Sequence, residues 1–228
     1  MADVELLTAG LSCRESAYAL LWRLFSREPD EGLVSLCASE APGKVIALIA
    51  GEGSRACEHA RALRLEAQAA ADRGGLQGLR DEFTRLFVGP SRPLAGPWES
   101  LYVGCGDQLF TETTLEVRGQ YAAAGFKNAG YPQEPDDHLA SELSFMLALC
   151  RRTMERASHD RQGCGADISR SKRFLEDHLA RWIGPFAMRV GEAQVRSGFY
   201  PAAALLASEV VSEDLKVLDE LSRKACDL

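Results

Sequence analysis

The chain has 228 residues, 46% hydrophobic and 26% charged, with a formal net charge of −7. A chain of this size buries roughly 70% of its unfolded surface and needs no metal or disulfide to fold. The acidic balance excludes nucleic acid as a partner, because such binding rests on basic patches. No stretch approaches the ~18 apolar residues of a membrane span, which excludes stable membrane insertion. The acidic start Met1-Ala2-Asp3-Val4-Glu5 is not that of a secretory signal, so the expectation is a cytoplasmic protein.

Helical spacing dominates. Leu11, Glu15, Tyr18, Trp22 and Phe25 recur every three or four residues and predict a first amphipathic helix, ended by Glu28-Pro29-Asp30. A short helix is expected over 32–40, closed by Ala41-Pro42-Gly43, and another run over 44–72, split by Gly51-Glu52-Gly53. After Gly74-Gly75, the spacing of Leu76, Leu79, Phe83, Leu86 and Phe87 predicts a helix over 76–88. Residues 89–106, rich in Gly, Pro and Ser, read as a long loop of the kind that carries function. Helical pattern resumes from 111 to 124. Leu139, Leu143, Met146, Leu147, Cys150 and Met154 then form a stripe that Phe145 and Leu149 widen, as in a helix central to a bundle. A loop is expected over 157–166, helices over 167–182 and 184–197, and a last helix from Pro201. Strand alternation, internal repeats and linker composition are all missing. The prediction is an all-α protein, a single helical domain over residues 1–228.

Between these helices one run stands out: Gly130-Tyr131-Pro132-Gln133-Glu134-Pro135-Asp136-Asp137-His138, feeding into the apolar helix. The prolines hold an acidic segment extended, so its polar groups can face a ligand while the helix behind is anchored. From Pro93 to Cys150 the chain has two basic residues, Arg118 and Lys127, against eight acidic ones: Glu99, Asp107, Glu112, Glu116, Glu134, Asp136, Asp137 and Glu142. This excess is either a solvated face or a surface for a cationic partner. One of Asp136 and Asp137 is expected to cap the following helix. In the loop, Trp98 and Tyr102 are core anchors or recognition aromatics.

Catalytic chemistry finds little support. Seven cysteines, an odd number without a Cys-x-x-Cys pair, read as reduced thiols. The four histidines have no strong metal spacing, although His138 and Glu142 share a turn. Asp137-His138 is a possible acid/base pair, but neighbours in sequence rarely point at one another. No nucleophile elbow is present. Gly104-Cys105-Gly106 is not a dinucleotide fingerprint and no P-loop exists, which leaves other modes of nucleotide binding open. No cofactor is expected, and a metal-dependent hydrolase using Asp137, His138 and Glu142 stays as the rival reading.

Four blocks, in order, carry a resemblance: Arg85-Leu-Phe-Val-Gly-Pro90; Gly96-Pro-Trp98-Glu-Ser-Leu-Tyr102; Glu134-Pro-Asp-Asp-His138; and Phe174-Leu-Glu-Asp-His178-Leu-Ala-Arg-Trp182 followed by Phe199-Tyr200-Pro-Ala-Ala-Ala. Together they resemble the TorD/DmsD family. The resemblance implies a non-enzymatic, all-helical cytoplasmic chaperone for molybdopterin-dependent oxidoreductases exported by the twin-arginine pathway. It would bind the client's twin-arginine leader and its body, assist cofactor insertion and proofread before export. A nitrate-reductase-type assembly factor, acting on a client that is not exported, is the alternative within the same fold. The resemblance also implies a leader-binding surface at Pro97, Trp98, Glu99, Ser100 and Tyr102, and at Glu134, Pro135, Asp136, Asp137, His138 and Glu142. Carboxylates there would meet arginine forks and the aromatics Trp98, Tyr102 and Tyr131 would meet the apolar stretch. Many relatives carry Gly directly after the loop Trp. Glu99 is therefore expected to place a carboxylate beside the groove and to alter which leader is accepted. The client's identity and a possible homodimer stay open.

Overall fold

The computed structural model describes residues 2–70, 75–90, 92–104 and 108–227. Among them run α1 (Ala2–Ser26), α2 (Glu31–Ala38), α3 (Ala41–Ala50), α4 (Arg55–Ala69), α5 (Gly75–Phe83), α6 (Ser100–Val103), α7 (Glu112–Ala123), α8 (Leu139–Arg156), α9 (Arg161–Phe174), α10 (Ala180–Glu192) and α11 (Phe199–Asp227). Thr84–Val88 and Leu175–Leu179 are π-helical turns. The only extended pairing among the described residues is an isolated antiparallel bridge, Trp98 with His138, so the chain is all-α, as its periodicity predicts. Cys105, Gly106 and Asp107 fall outside the described residues, so the Gly104-Cys105-Gly106 reading is not addressed. Cys13, Cys37, Cys57, Cys150 and Cys164 are free thiols.

Local signals decide where helices begin. Asp30 caps α2 by accepting from Leu33 N, and Ser54 caps α4 by accepting from Cys57 N. Ala41-Pro42-Gly43 opens α3 instead of closing α2, because proline is favoured in a first helical turn, where its missing N–H has no partner to lose. Asp160 accepts from Gly163 N, which starts α9 inside the stretch 157–166 expected to be a loop. The expected break between 182 and 184 is missing as well: α10 runs through it, with Pro185 inside the helix. Proline in a helix costs about 3 kcal/mol, and burial of Trp182, Ile183, Phe186, Ala187 and Val190 on the same helix offsets it.

The described elements share one hydrophobic core. α8 runs through it with α1 packed along its length, and α11 touches α4, α9 and α10. Phe25, Phe87, Phe186 and Tyr200 interlock edge to face at one end; Tyr121, Phe126, Phe145 and Phe174 do so at the other, beside the Pro-rich run. No single helix among the described residues is long and apolar enough to cross a membrane.

One ion pair ties the chain's ends together. Arg14 of α1 and Asp214 of α11 are both 1% exposed; Arg14 Nη2 donates to Asp214 Oδ2 at 3.0 Å and Tyr18 OH donates to the same oxygen at 2.7 Å. Removing one partner of such a pair strands the other charge. Asp214→Ala should therefore cost about 3–5 kcal/mol in urea unfolding, and a loss below ~1 kcal/mol would show that Arg14 finds water or another partner.

Candidate functional site

The Trp98 loop and the 130–138 run are laced together by backbone. Glu99 N donates to Asp137 O at 3.0 Å and Leu139 N donates to Pro97 O at 2.8 Å. The loop reaches this position because Gly89, at φ 66°, ends the π-helical turn, and Leu94 N and Ala95 N fold back onto Arg85 O and Leu86 O. Gly96 permits the next bend, since a Cβ there would lie 2.6 Å from Leu101 Cδ1.

Asp137 closes the lace. It is fully buried, and its two oxygens accept from Ser100 N at 3.0 Å and Thr114 Oγ1 at 2.9 Å. Asp136 is equally committed: Arg118 Nε donates to Oδ2 at 2.6 Å, Asn128 Nδ2 to Oδ1 at 3.1 Å, and Tyr121 OH to the carbonyl at 3.0 Å. Neither aspartate caps α8. His138 does, with Nδ1 accepting from Ala140 N at 3.0 Å. Asp137 instead caps α6, the four-residue helix of the opposite loop. With Asp137 aimed at Ser100 and Thr114 and His138 aimed at Ala140, the pair does not form an acid/base couple.

Glu99 and Glu142 form a second buried layer, and both are 0% exposed. Glu99 accepts from or pairs with His178 Nδ1 at 3.0 Å, and Trp182 Nε1 donates to Glu142 Oε2 at 3.2 Å. Burial, together with the neighbouring Glu99 carboxyl, pushes the Glu142 carboxyl well above the usual carboxylate range. Burial also raises Glu99, against the lowering effect of His178. Burial and the neighbouring carboxyl thus act in the same direction on Glu142, disfavouring its charged form.

The carboxylates Glu99, Asp136, Asp137 and Glu142 thus spend their bonds inside the protein instead of waiting for arginine. Glu99, in particular, faces His178 and not a groove. Pro97, Ser100 and Pro135 are buried with them. The half-buried members are Trp98, Tyr102, Glu134 and His138. Trp98 Nε1 donates to Glu134 Oε1 at 2.7 Å and its ring meets the His138 ring edge to face at 5.6 Å. Tyr102 donates to Gly96 O and stacks on Trp182. Beside this edge Tyr131 is exposed beneath the Arg118 guanidinium, 4.8 Å from the ring centroid. Leu115, one turn before Arg118, and Phe110, at φ 61°, are also exposed. The residues that sequence reasoning left without a role are Thr114, Arg118, Asn128, His178 and Trp182. For the last two a signal existed: Phe174, His178, Trp182 and Phe186 repeat every four residues on one helical face.

Comparison with known proteins gives the context of this geometry. Residues 54–188, more than half of the chain, match the family described as "Nitrate reductase delta subunit". "Chaperone protein TorD" of Vibrio cholerae serotype O1 is 33% identical over 145 residues, 63% of each chain. "Chaperone protein TorD" of Shewanella pealeana is 26% identical over 213 residues, 90% of each chain. "Probable Tat proofreading chaperone DmsD" of Haemophilus influenzae is 24% identical over 142 residues, 62% of this chain and 63% of the relative. The alignment with the first of these relatives thus spans less than two thirds of its length.

Two groups of the edge, His138 and Glu142, titrate with opposite sign. Burial lowers His138 from 6.5 to about 4. The folded chain therefore binds fewer protons than the unfolded one between these values, and the stability from His138 is whole above 6.5 and lost as pH falls towards 4. His138→Asn keeps a capping acceptor and should gain on the native chain in melting temperature from about pH 7 to about pH 5. His138→Ala should cost about 1 kcal/mol at neutral pH. Glu142 is raised above 4.5, so its folded state holds the extra proton and stability falls as pH rises above that value. Glu142→Gln keeps the Trp182 bond and should melt higher than the native chain at about pH 8, with the gap closing towards about pH 5. A gap independent of pH would rule out a raised Glu142 carboxyl.

Proposed function

Because the chain belongs to the nitrate reductase delta subunit family, that of the TorD and DmsD chaperones, we propose that it is a redox enzyme maturation chaperone. In this reading it acts in the cytoplasm on the catalytic subunit of a molybdopterin oxidoreductase. It binds the client's twin-arginine leader and body, assists cofactor insertion and holds the client back from export until that is complete. Its role is binding, not catalysis.

The observation that carries this reading is that the two motifs brace one another into a single edge through backbone and side-chain hydrogen bonds, leaving Trp98, Glu134, His138 and Tyr131 at its margin. Exposed Phe110 and Leu115 supply apolar area for the leader's hydrophobic stretch. Glu134 and the exposed Glu112 supply charge for its arginines. Exposed ion pairs contribute only about 0–1 kcal/mol each. Affinity therefore rests on the apolar contact, and the acids set orientation and association rate.

The test uses the leader of the oxidoreductase that co-purifies with the chain, as a synthetic peptide in calorimetry. Leu115→Ala with Tyr131→Ala, both at exposed positions, should weaken binding at least about tenfold while the melting curve holds. Unchanged affinity would remove this edge as the leader site. The family description favours one second reading, assembly of a client without an exported leader. Under it, the client's mature body binds as tightly without the leader as with it.

A further inference from the structure

α7 and α9 do not close on each other. The side chains facing across the gap are Gly119 and Ala123 on α7, and Ala166 and Ser169 on α9. A Cβ at Gly119 would meet nothing within 4 Å. Small residues thus leave an open groove of about 830 Å³ whose floor includes the buried His178.

Its charge runs against that of the chain. The α9 wall and its continuation through the π-helical turn into α10 carry Arg170, Arg173 and Arg181. Arg170 donates to Asp167, but that single buried carboxylate already accepts from Arg152 and Arg156. Asp160 lies 3.5 Å from Arg156 as a second carboxylate, so three guanidiniums meet two carboxylates and positive charge is still in excess there. Arg173 has no partner among the described residues, and Arg181 donates to a backbone oxygen, that of Asp177. Two acids also line the groove: Glu116 on the α7 wall, and Asp177, which accepts from Gln120 at 3.4 Å across the gap. The arginines outnumber them.

We infer that this groove is a docking site for an extended acidic segment of a partner polypeptide, separate from the edge proposed for the leader. The spacing argues for a segment over a lone anion. Arg170 and Arg181 are eleven residues apart, about 16 Å along a helical wall at ~1.5 Å per residue. A single phosphate or carboxylate cannot reach both. An extended peptide covers that distance with about five residues at ~3.3 Å each and sets a carboxylate before each guanidinium fork. The floor joins this groove to the motif frame, since His178 pairs with Glu99 of the Trp98 loop.

The probe is a fluorescein-labelled hexaglutamate peptide, titrated against the full chain by anisotropy. Binding should be present at about 20 mM salt and nearly abolished at about 500 mM. Arg173→Glu with Arg181→Glu, both at exposed positions, should weaken it more than about tenfold. Arg61→Glu with Arg64→Glu on α4 makes the same change in net charge and should stay within about twofold. If the groove variant unfolds on heating earlier than the native chain, Arg173→Gln with Arg181→Gln replaces it, with a loss in the same direction. Equal loss in the α4 control would reduce the effect to net charge and overturn the site. Displacement of the peptide by about 10 mM inorganic phosphate as complete as by unlabelled hexaglutamate would overturn the peptide occupant. Leader binding by the groove variant should be unchanged; its loss would overturn the separation of the two sites, and failure of the leader edge alone leaves this groove standing.

Discussion

Everything at the motif edge depends on how Asp137 is held. Its carbonyl accepts from Glu99 N, while its carboxylate accepts from Ser100 N and Thr114 Oγ1. One residue therefore fixes the loop, starts α6 and anchors the first turn of α7. A buried polar group left without hydrogen bonds costs about 1–3 kcal/mol, so side chain and loop depend on one another: the loop folds onto Asp137, and Asp137 is satisfied in the core because the loop folds onto it. The prolines at 132 and 135 limit the freedom of the run before it meets its partners.

Behind Asp137 lies the pair Glu99 and Glu142, held by His178 and Trp182. It is a second latch, joining the loop and α8 to the π-helical turn and α10. Burial raises both carboxyls, and His178 and Trp182 are the partners that hold them in the core. The π-helical turn Leu175–Leu179 belongs to the same logic. Such turns are uncommon within helices, and this one carries His178 to the floor of the groove while Trp182 still reaches Glu142.

Much of this was visible in the residues, and the part that was not has a physical reason. Periodicity places α1, α4, α7, α8 and α11 because one face of each meets the core over several turns. It misplaces the start of α9 because Asp160 acts through a single capping bond, and it breaks α10 between 182 and 184 because the packing of Trp182 and Phe186 outweighs the proline beside it. The motif run was legible as a unit from its prolines and acids. The direction of each acid was not. A sequence shows that Glu99, Asp136, Asp137 and Glu142 are charged, but burial is decided by donors from Thr114, Arg118, Asn128, His178 and Trp182, residues drawn from three other segments.

The consequence is a division between the groups that build the edge and those that meet a partner. Half of the eight acids between 93 and 150 are consumed internally, so local net charge overstates what the surface offers to a cation. Of the rest, Glu134 is tied to Trp98, and Glu112 and Glu116 sit on α7. Residues such as Tyr131, Leu115 and Phe110 make few bonds with the frame and can change without loosening it. Changes at Asp137 or Glu99 would instead act on the frame and reach any partner only through it. Glu99 follows the Trp of the loop, at the position where a partner contact looked most natural, and it turns inward to His178. In the proposed reading selectivity at this edge resides in the margin, and the buried acids determine whether the margin exists at all.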